Sequence, residues 1–174
     1  MRAVESRYSA EKHMASVNLI FDDEQTAYLR ELSEKMNLDF GEFIPHATLI
    51  NVTEQDIPRL KLAAAALPSL DKLVLDGVNF LPDEAGNCVC VELRVQKTSW
   101  MVEVRRKLLE ILDDIHPGLD IDGFRPHITL GIVEAGTLGD VDMSAIPRQL
   151  PVITKPRAAA CYNGVHGKVV EVVE

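Results

Sequence analysis

FRPHITLGIV, residues 124–133, and FIPHATLINV, residues 43–52, are the two stretches on which the fold of this 174-residue chain turns. Both carry Pro-His-x-Thr-Leu, and the second copy starts 81 positions after the first. Side chains along a strand alternate between faces, so Phe124, Ile128, Leu130 and Ile132 share one face while Arg125, His127 and Thr129 share the other. The same register sets Phe43, Ala47 and Leu49 against His46 and Thr48. One face is apolar and belongs to a core; the other is polar. A proline before each histidine belongs at the start or edge of a strand, which places both histidines near a rim. Five His, seven Thr and twenty Leu give roughly 0.02 expected His-x-Thr-Leu matches in a shuffled chain, and two together on the order of a few in ten thousand. The repeat is therefore not an accident of composition.

Working outward, each copy ends a similar unit. MASVNLIF, 14–21, is rich in strand-forming residues. Asp22 or Asp23 caps a following helix whose apolar stripe is Tyr28, Leu29, Leu32 and Met36 and which ends around Asn37, before the first Pro-His strand. CVCVELRV, 88–95, is likewise a strand, followed by the clearest helix, in KTSWMVEVRRKLLEILDDIHPG, 97–118. Trp100, Val104, Leu108, Ile111, Leu112 and Ile115 line one side of it, Arg105, Arg106 and Lys107 form the wet face, and His116-Pro117-Gly118 stops it. The second Pro-His strand comes next. The chain is thus internally duplicated as strand, helix, Pro-His strand.

Between the two units, TEQDIPRLKLAAAAL reads as a helix with Asp56 as cap, Pro58 in the first turn and Pro68 beyond its end. LDKLVLDGVNFL then pairs with CVCVELRV through the turn-rich PDEAGN. The tail QLPVITKPRAAACYNGVHGKVVEVV offers one to three more strands. A tail made only of strands argues against purely parallel winding and for an α+β fold with antiparallel sheets. Residues 1–13 read as a loose leader, and 14–174 as one domain.

The balance of 18 Lys plus Arg against 27 Asp plus Glu, with net charge −9 and pI near 5.0, argues against broad adhesion to nucleic acid or anionic membranes. No N-terminal apolar stretch reads as a signal peptide and no run reaches the roughly 20 apolar residues of a membrane span, so the expected location is the cytoplasm. Cys88, Cys90 and Cys161 are too few for a disulfide framework and read as buried, reduced thiols outside the mechanism.

Two imidazoles across a cleft suit phosphoryl chemistry without a metal: a neutral ring takes a proton from the attacking oxygen while a protonated one supplies the leaving oxygen. Each threonine, two residues on and on the same face, can donate to a nonbridging phosphate oxygen. PHATL and PHITL resemble the paired H-x-T signatures of the 2H phosphoesterase superfamily, and FRPHITL resembles its bacterial 2′-5′ RNA ligase and cyclic phosphodiesterase branch. The resemblance spans about Met14 to Val173. It implies a bilobal α+β fold, two pseudo-symmetric antiparallel-sheet lobes with outer helices and a central cleft, no cofactor or metal, and action on RNA ends or small nucleotides bearing a 2′,3′-cyclic phosphate. His46 and His127 match the catalytic pair, Thr48 and Thr129 the phosphate-holding hydroxyls, and Arg125 the arginine that often precedes the second motif. Hydrolysis is the expected principal activity, with 2′-5′ ligation as the same chemistry run with a ribose nucleophile.

Other residues have weaker claims. Tyr162 and Phe124 are base-stacking candidates, with core packing the default for Phe124. Lys155 and Arg157 read as solvated charges or backbone-phosphate contacts, His13 and His116 as structural, and His166 as part of a turn between tail strands. No obligate protein partner and no membrane contact is expected. Rival readings are a nucleotide- or RNA-binding module without turnover, and a metal-dependent hydrolase. The second lacks the histidine or acid at i+2 to i+4 that common metal motifs carry.

Overall fold

The computed structural model describes residues 15–39, 41, 44–83, 85–115, 123–163 and 169–173. The leader 1–13, Phe43, the His116-Pro117-Gly118 stop and the turn bearing His166 lie outside the described residues. In chain order the elements are β1 (Ala15–Ile20), α1 (Asp23–Lys35), β2 (His46–Val52), α2 (Ile57–Ala65), β3 (Lys72–Pro82), β4 (Cys88–Val95), α3 (Ser99–Leu112), β5 (His127–Glu134), β6 (Val152–Thr154), β7 (Arg157–Asn163) and β8 (Val169–Val173). Short 3-10 turns fill Asp113–Ile115, Ala135–Asp140 and Met143–Ala145.

Local chemistry sets these boundaries. Asp22 caps α1, its carboxylate accepting the Gln25 amide at 2.8 Å, and Asp56 accepts the Arg59 amide at the start of α2, each satisfying one of the orphan donors of a first turn. At the other end of α1, Asn37 takes the left-handed conformation with φ 60°. Its amide donates to Glu34 O and the Leu38 amide to Ser33 O, which is the paired closure that favours Gly or Asn at this place. In the β3–β4 turn, the Asp83 carboxylate accepts from the Asn87 and Cys88 amides.

All strand pairs are antiparallel and run in the order β6-β3-β4-β5-β2-β1-β7-β8. Two groups of four strands meet at β5 and β2, where the pairing narrows to Ala47 opposite Ile128. This is the expected α+β fold with two related antiparallel halves. The helices cross over between the halves: α1, which follows β1, packs on β5, and α3, which follows β4, packs on β2. The helix-side core is one continuous cluster containing Leu19, Leu29, Leu49, Leu93, Leu108, Ile128 and Leu130, each at most 1% exposed. Full burial of such a side chain contributes roughly 1.5–3 kcal/mol.

The duplication extends to irregularities that strict alternation does not anticipate. Val17 pairs with Ile50 and Asn18 with Thr48, leaving Leu49 as an extra residue in β2. Val91 pairs with Gly131 and Glu92 with Thr129, leaving Leu130 as an extra residue in β5. A bulge leaves backbone groups of the extra residue without ladder partners, and here a helix side chain supplies one in each half. Ser33 Oγ on α1 donates to Leu130 O at 2.7 Å, and a guanidinium nitrogen of Arg105 on α3 donates to Leu49 O at 2.7 Å. Close approach of the loop after α1 also accounts for Gly131, where a Cβ would stand 3.0 Å from Leu38 Cβ and 3.3 Å from Asp39 O.

Several expectations are corrected by this arrangement. Ile132 falls on the histidine face rather than with Ile128 and Leu130, because the bulge at Leu130 shifts the alternation by one. Arg105 is buried, not on a wet face; with Met101, Leu108 and Leu112 it repeats at four- and three-residue steps along the inner stripe of α3. Its guanidinium also lies 5.1 Å from the Phe124 ring centroid. Tyr28 is exposed at the edge of its helix. Cys88 and Cys90 are only partly buried, whereas Cys161 is fully buried.

Candidate active site

β2 and β5 begin at His46 and His127, directly after Pro45 and Pro126. The prolines lack the amide that would extend the ladder, so both histidines stand at strand starts, on the rim. With Ala47 opposite Ile128, the adjoining register sets His46 beside Thr129 and Thr48 beside His127. Ala47 and Ile128 point into the core at 0% exposure, so these four polar side chains share the opposite face. His46 and His127 are then diagonal neighbours, a relation that spans roughly 7 to 8 Å across an antiparallel pair.

Both rings are held the same way. His46 Nδ1 lies 2.6 Å from Ile44 O and His127 Nδ1 lies 2.9 Å from Arg125 O. A carbonyl oxygen only accepts, so each Nδ1 carries the proton and each Nε2 is left to take or give one. The carbonyl two residues back, across the proline, thereby fixes both tautomer and ring plane.

The surroundings of the two rings differ. Beside His46 on this face are Ile20, its partner on β1, and a small apolar cluster of Ile20, Ala159 and Cys161 against which Ile44 packs. Burial pushes His46 down from 6.5 to about 4, nearby His127 adds to the fall, and the Ile44 hydrogen bond opposes it. His127 has charged neighbours instead. Its partner on β4 is Arg94, whose Nε is 2.5 Å from Asp76 Oδ1. Glu92, only 1% exposed, has one carboxylate oxygen 3.1 Å from an Arg125 guanidinium nitrogen and the other 3.5 Å from His127 Nε2. Neither contact is aligned as a hydrogen bond, and both oxygens lack one.

A pH dependence of stability follows from His46. The unfolded chain binds its proton near 6.5 and the folded chain only near 4, so stability is full above pH 6.5 and falls as the pH drops through that window. The loss is on the order of 3 kcal/mol at most. Urea unfolding from pH 7 to pH 4 is expected to show it, with a smaller slope for His46→Gln.

The five residues to which the resemblance gives roles, His46, Thr48, Arg125, His127 and Thr129, are brought to one face. Tyr162 is not with them. It pairs with Ala15 and packs against the helix-side core, on the face opposite the histidines. Phe124 is also in that core. Arg157 pairs with Ile20 and so lies in the same cross-strand row as His46, and Lys155, at φ 47°, occupies the preceding turn. Glu92 is a site residue that the sequence reading misses. Its signal is present in CVCVELRV: Val89, Val91, Leu93 and Val95 form the core face, which assigns Glu92 and Arg94 to the other. Among the described residues, no three His, Cys, Asp or Glu side chains form a group able to hold a metal ion, and no helix is long and apolar enough to cross a membrane.

No protein-family model and no curated protein matches the sequence. Among solved structures, TT0787 of Thermus thermophilus is similar with a TM-score of 0.62 at 19% identity, over 92% of this chain and 95% of that one. This establishes a shared fold over nearly the whole of both chains. Lesser likenesses are to a protein described as a phosphoesterase, TM-score 0.49 at 13% identity over 88% and 90% of the two chains, and to Usb1 of Kluyveromyces marxianus solved with uridine monophosphate, TM-score 0.44 at 12% identity over 78% of each.

Proposed function

We propose that the chain is a metal-independent phosphoesterase of the 2H type that opens 2′,3′-cyclic phosphates on RNA ends or small nucleotides. The observation that carries this reading is the convergence of two Pro-His-x-Thr strands at the Ala47–Ile128 pair, with both Nδ1 atoms committed to backbone carbonyls. Two imidazoles on diagonal positions of adjoining strands, each with Nε2 left open, suit a phosphorus between them. One ring removes a proton from the attacking water as its oxygen bonds to phosphorus, and the other protonates the ribose oxygen as its bond to phosphorus breaks. Thr48 and Thr129 donate to the nonbridging oxygens, whose charge grows in the transition state. Arg125 adds a fixed cation at the rim.

The product is a ribose monoester, and a ribose hydroxyl in place of water gives 2′-5′ ligation by the same steps. The acidic net charge of −9 favours hydrolysis, since a long RNA strand gains little from such a surface. The test is turnover of 2′,3′-cyclic nucleotides with a chelator present. Sustained release of monoester is expected; loss of turnover on chelation supports the metal-dependent reading, and tight nucleotide binding with no product supports a binding module.

A further inference from the structure

The duplicated halves match at the bulge, the histidine, the threonine and the carbonyl anchor, and they differ at a buried position beneath the reacting face. Opposite Thr48 stands Asn18; opposite Thr129 stands Glu92. Both are at most 1% exposed. Asn18 is neutral and donates to Ser16 Oγ at 2.9 Å. Glu92 is a carboxylic side chain under the reacting face, with an Arg125 guanidinium nitrogen and His127 Nε2 as neighbours and no aligned hydrogen bond. A buried carboxylate in that condition is costly unless donors complete it; the Arg125 guanidinium stands at one oxygen, and an Nε2–H on His127 is the donor within reach of the other. Nothing equivalent stands beside His46, which makes no ion pair among the described residues and is flanked by Ile20 and its apolar cluster.

We propose that Glu92 is a positioning residue that makes the two histidines unequal, holding His127 as the proton donor to the leaving ribose oxygen and leaving His46 as the proton acceptor. This rests on the phosphoesterase reading above. In the opening step, a water proton passes to His46 Nε2 while the water oxygen bonds to phosphorus. The ribose O3′–P bond breaks, and O3′ takes the proton from His127 Nε2. The product is the 2′-monoester, and exchange with solvent returns both rings to their starting states. The burial that pushes His46 down to about 4 agrees with a ring that starts neutral.

The experiment compares a nucleoside 2′,3′-cyclic phosphate with its analogue carrying sulfur in place of the bridging O3′, a leaving group that needs no proton. Rates are measured for the wild type, Glu92→Gln, His127→Ala and His46→Ala. The defects of Glu92→Gln and His127→Ala are expected to be at least about tenfold smaller on the sulfur substrate, because proton donation is what they lack. The defect of His46→Ala is expected to be equal on both. The ratio of the two rates cancels the folded fraction, so a variant that folds poorly still gives an answer. An equal defect of Glu92→Gln on both substrates, or sulfur rescue of His46→Ala instead of His127→Ala, would overturn the assignment while leaving the phosphoesterase reading intact. If neither histidine variant slows either substrate, the phosphoesterase reading itself fails.

Discussion

Replacing His46 or His127 by alanine is expected to lower turnover of a 2′,3′-cyclic nucleotide by about 10² to 10⁴-fold in each case, the usual contribution of a general acid or base. Each ring stands at a strand start on the rim; loss of His46 removes one side chain-to-carbonyl hydrogen bond, worth roughly 0.5–1.5 kcal/mol, and loss of His127 removes the equivalent bond together with its contact to buried Glu92. Fold and activity should therefore separate most cleanly at His46. The check is kcat at saturating substrate together with a urea unfolding curve for each variant near pH 7. A loss of only a fewfold in either variant would mean that the ring does not move a proton in the slow step. For His46 the pH matters to the comparison, since below about pH 6 the wild type itself is losing stability as the unfolded chain takes up the proton that the partly buried ring resists.

The largest expected effect on stability lies at Arg105. Its guanidinium reaches from α3 to the carbonyl of Leu49, the extra residue of the β2 bulge, and stacks near Phe124. Burial pushes it down to about 10, which leaves it charged at neutral pH. Arg105→Ala leaves a buried carbonyl short of its donor and a hole between α3 and β2, at a combined cost of about 3–5 kcal/mol. Arg105→Met keeps most of the volume and is expected to cost about 1–3 kcal/mol. Arg106, which pairs with Glu103 at the surface, serves as the control: Arg106→Ala should change stability by less than about 0.5 kcal/mol. Urea midpoints at constant slope measure all three. Because β2 carries His46 and Thr48 just before the bulge, Arg105→Met should also lower kcat if the helix contact sets the strand's register at the site.

Much of this is legible in the sequence because it is local. Asp22 and Asp56 cap their helices through the residues three positions on, Asn37 closes α1, and Pro45 and Pro126 begin their strands. The Pro-His-x-Thr-Leu repeat tells which side chains share a face up to the leucine of each copy. Beyond it, alternation fails, because a bulge is a property of two strands in register and not of either one alone. Ile132 therefore lies on the face opposite to the one that alternation assigns. Arg105 escapes for a related reason: a charged residue reads as wet, although its spacing from Met101, Leu108 and Leu112 is that of the inner stripe. Its partner, the freed carbonyl of Leu49, sits 56 residues away. Alternation in CVCVELRV puts Glu92 on the polar face, but its meaning depends on Thr129 and His127 in the neighbouring strand. Tyr162 suggests base stacking by residue type alone, and only pairing with Ala15 reveals that it faces the core.

The most direct test of two imidazoles acting on one phosphorus is a crystal structure with a nucleoside 2′,3′-cyclic vanadate, a mimic of the five-coordinate transition state. The account predicts vanadium between the rings, with Nε2 of His46 and Nε2 of His127 each within hydrogen-bonding distance of an apical oxygen and both threonine hydroxyls on equatorial oxygens. Vanadate bound to one ring alone, or seated elsewhere with the two Nε2 atoms facing away from it, would contradict it.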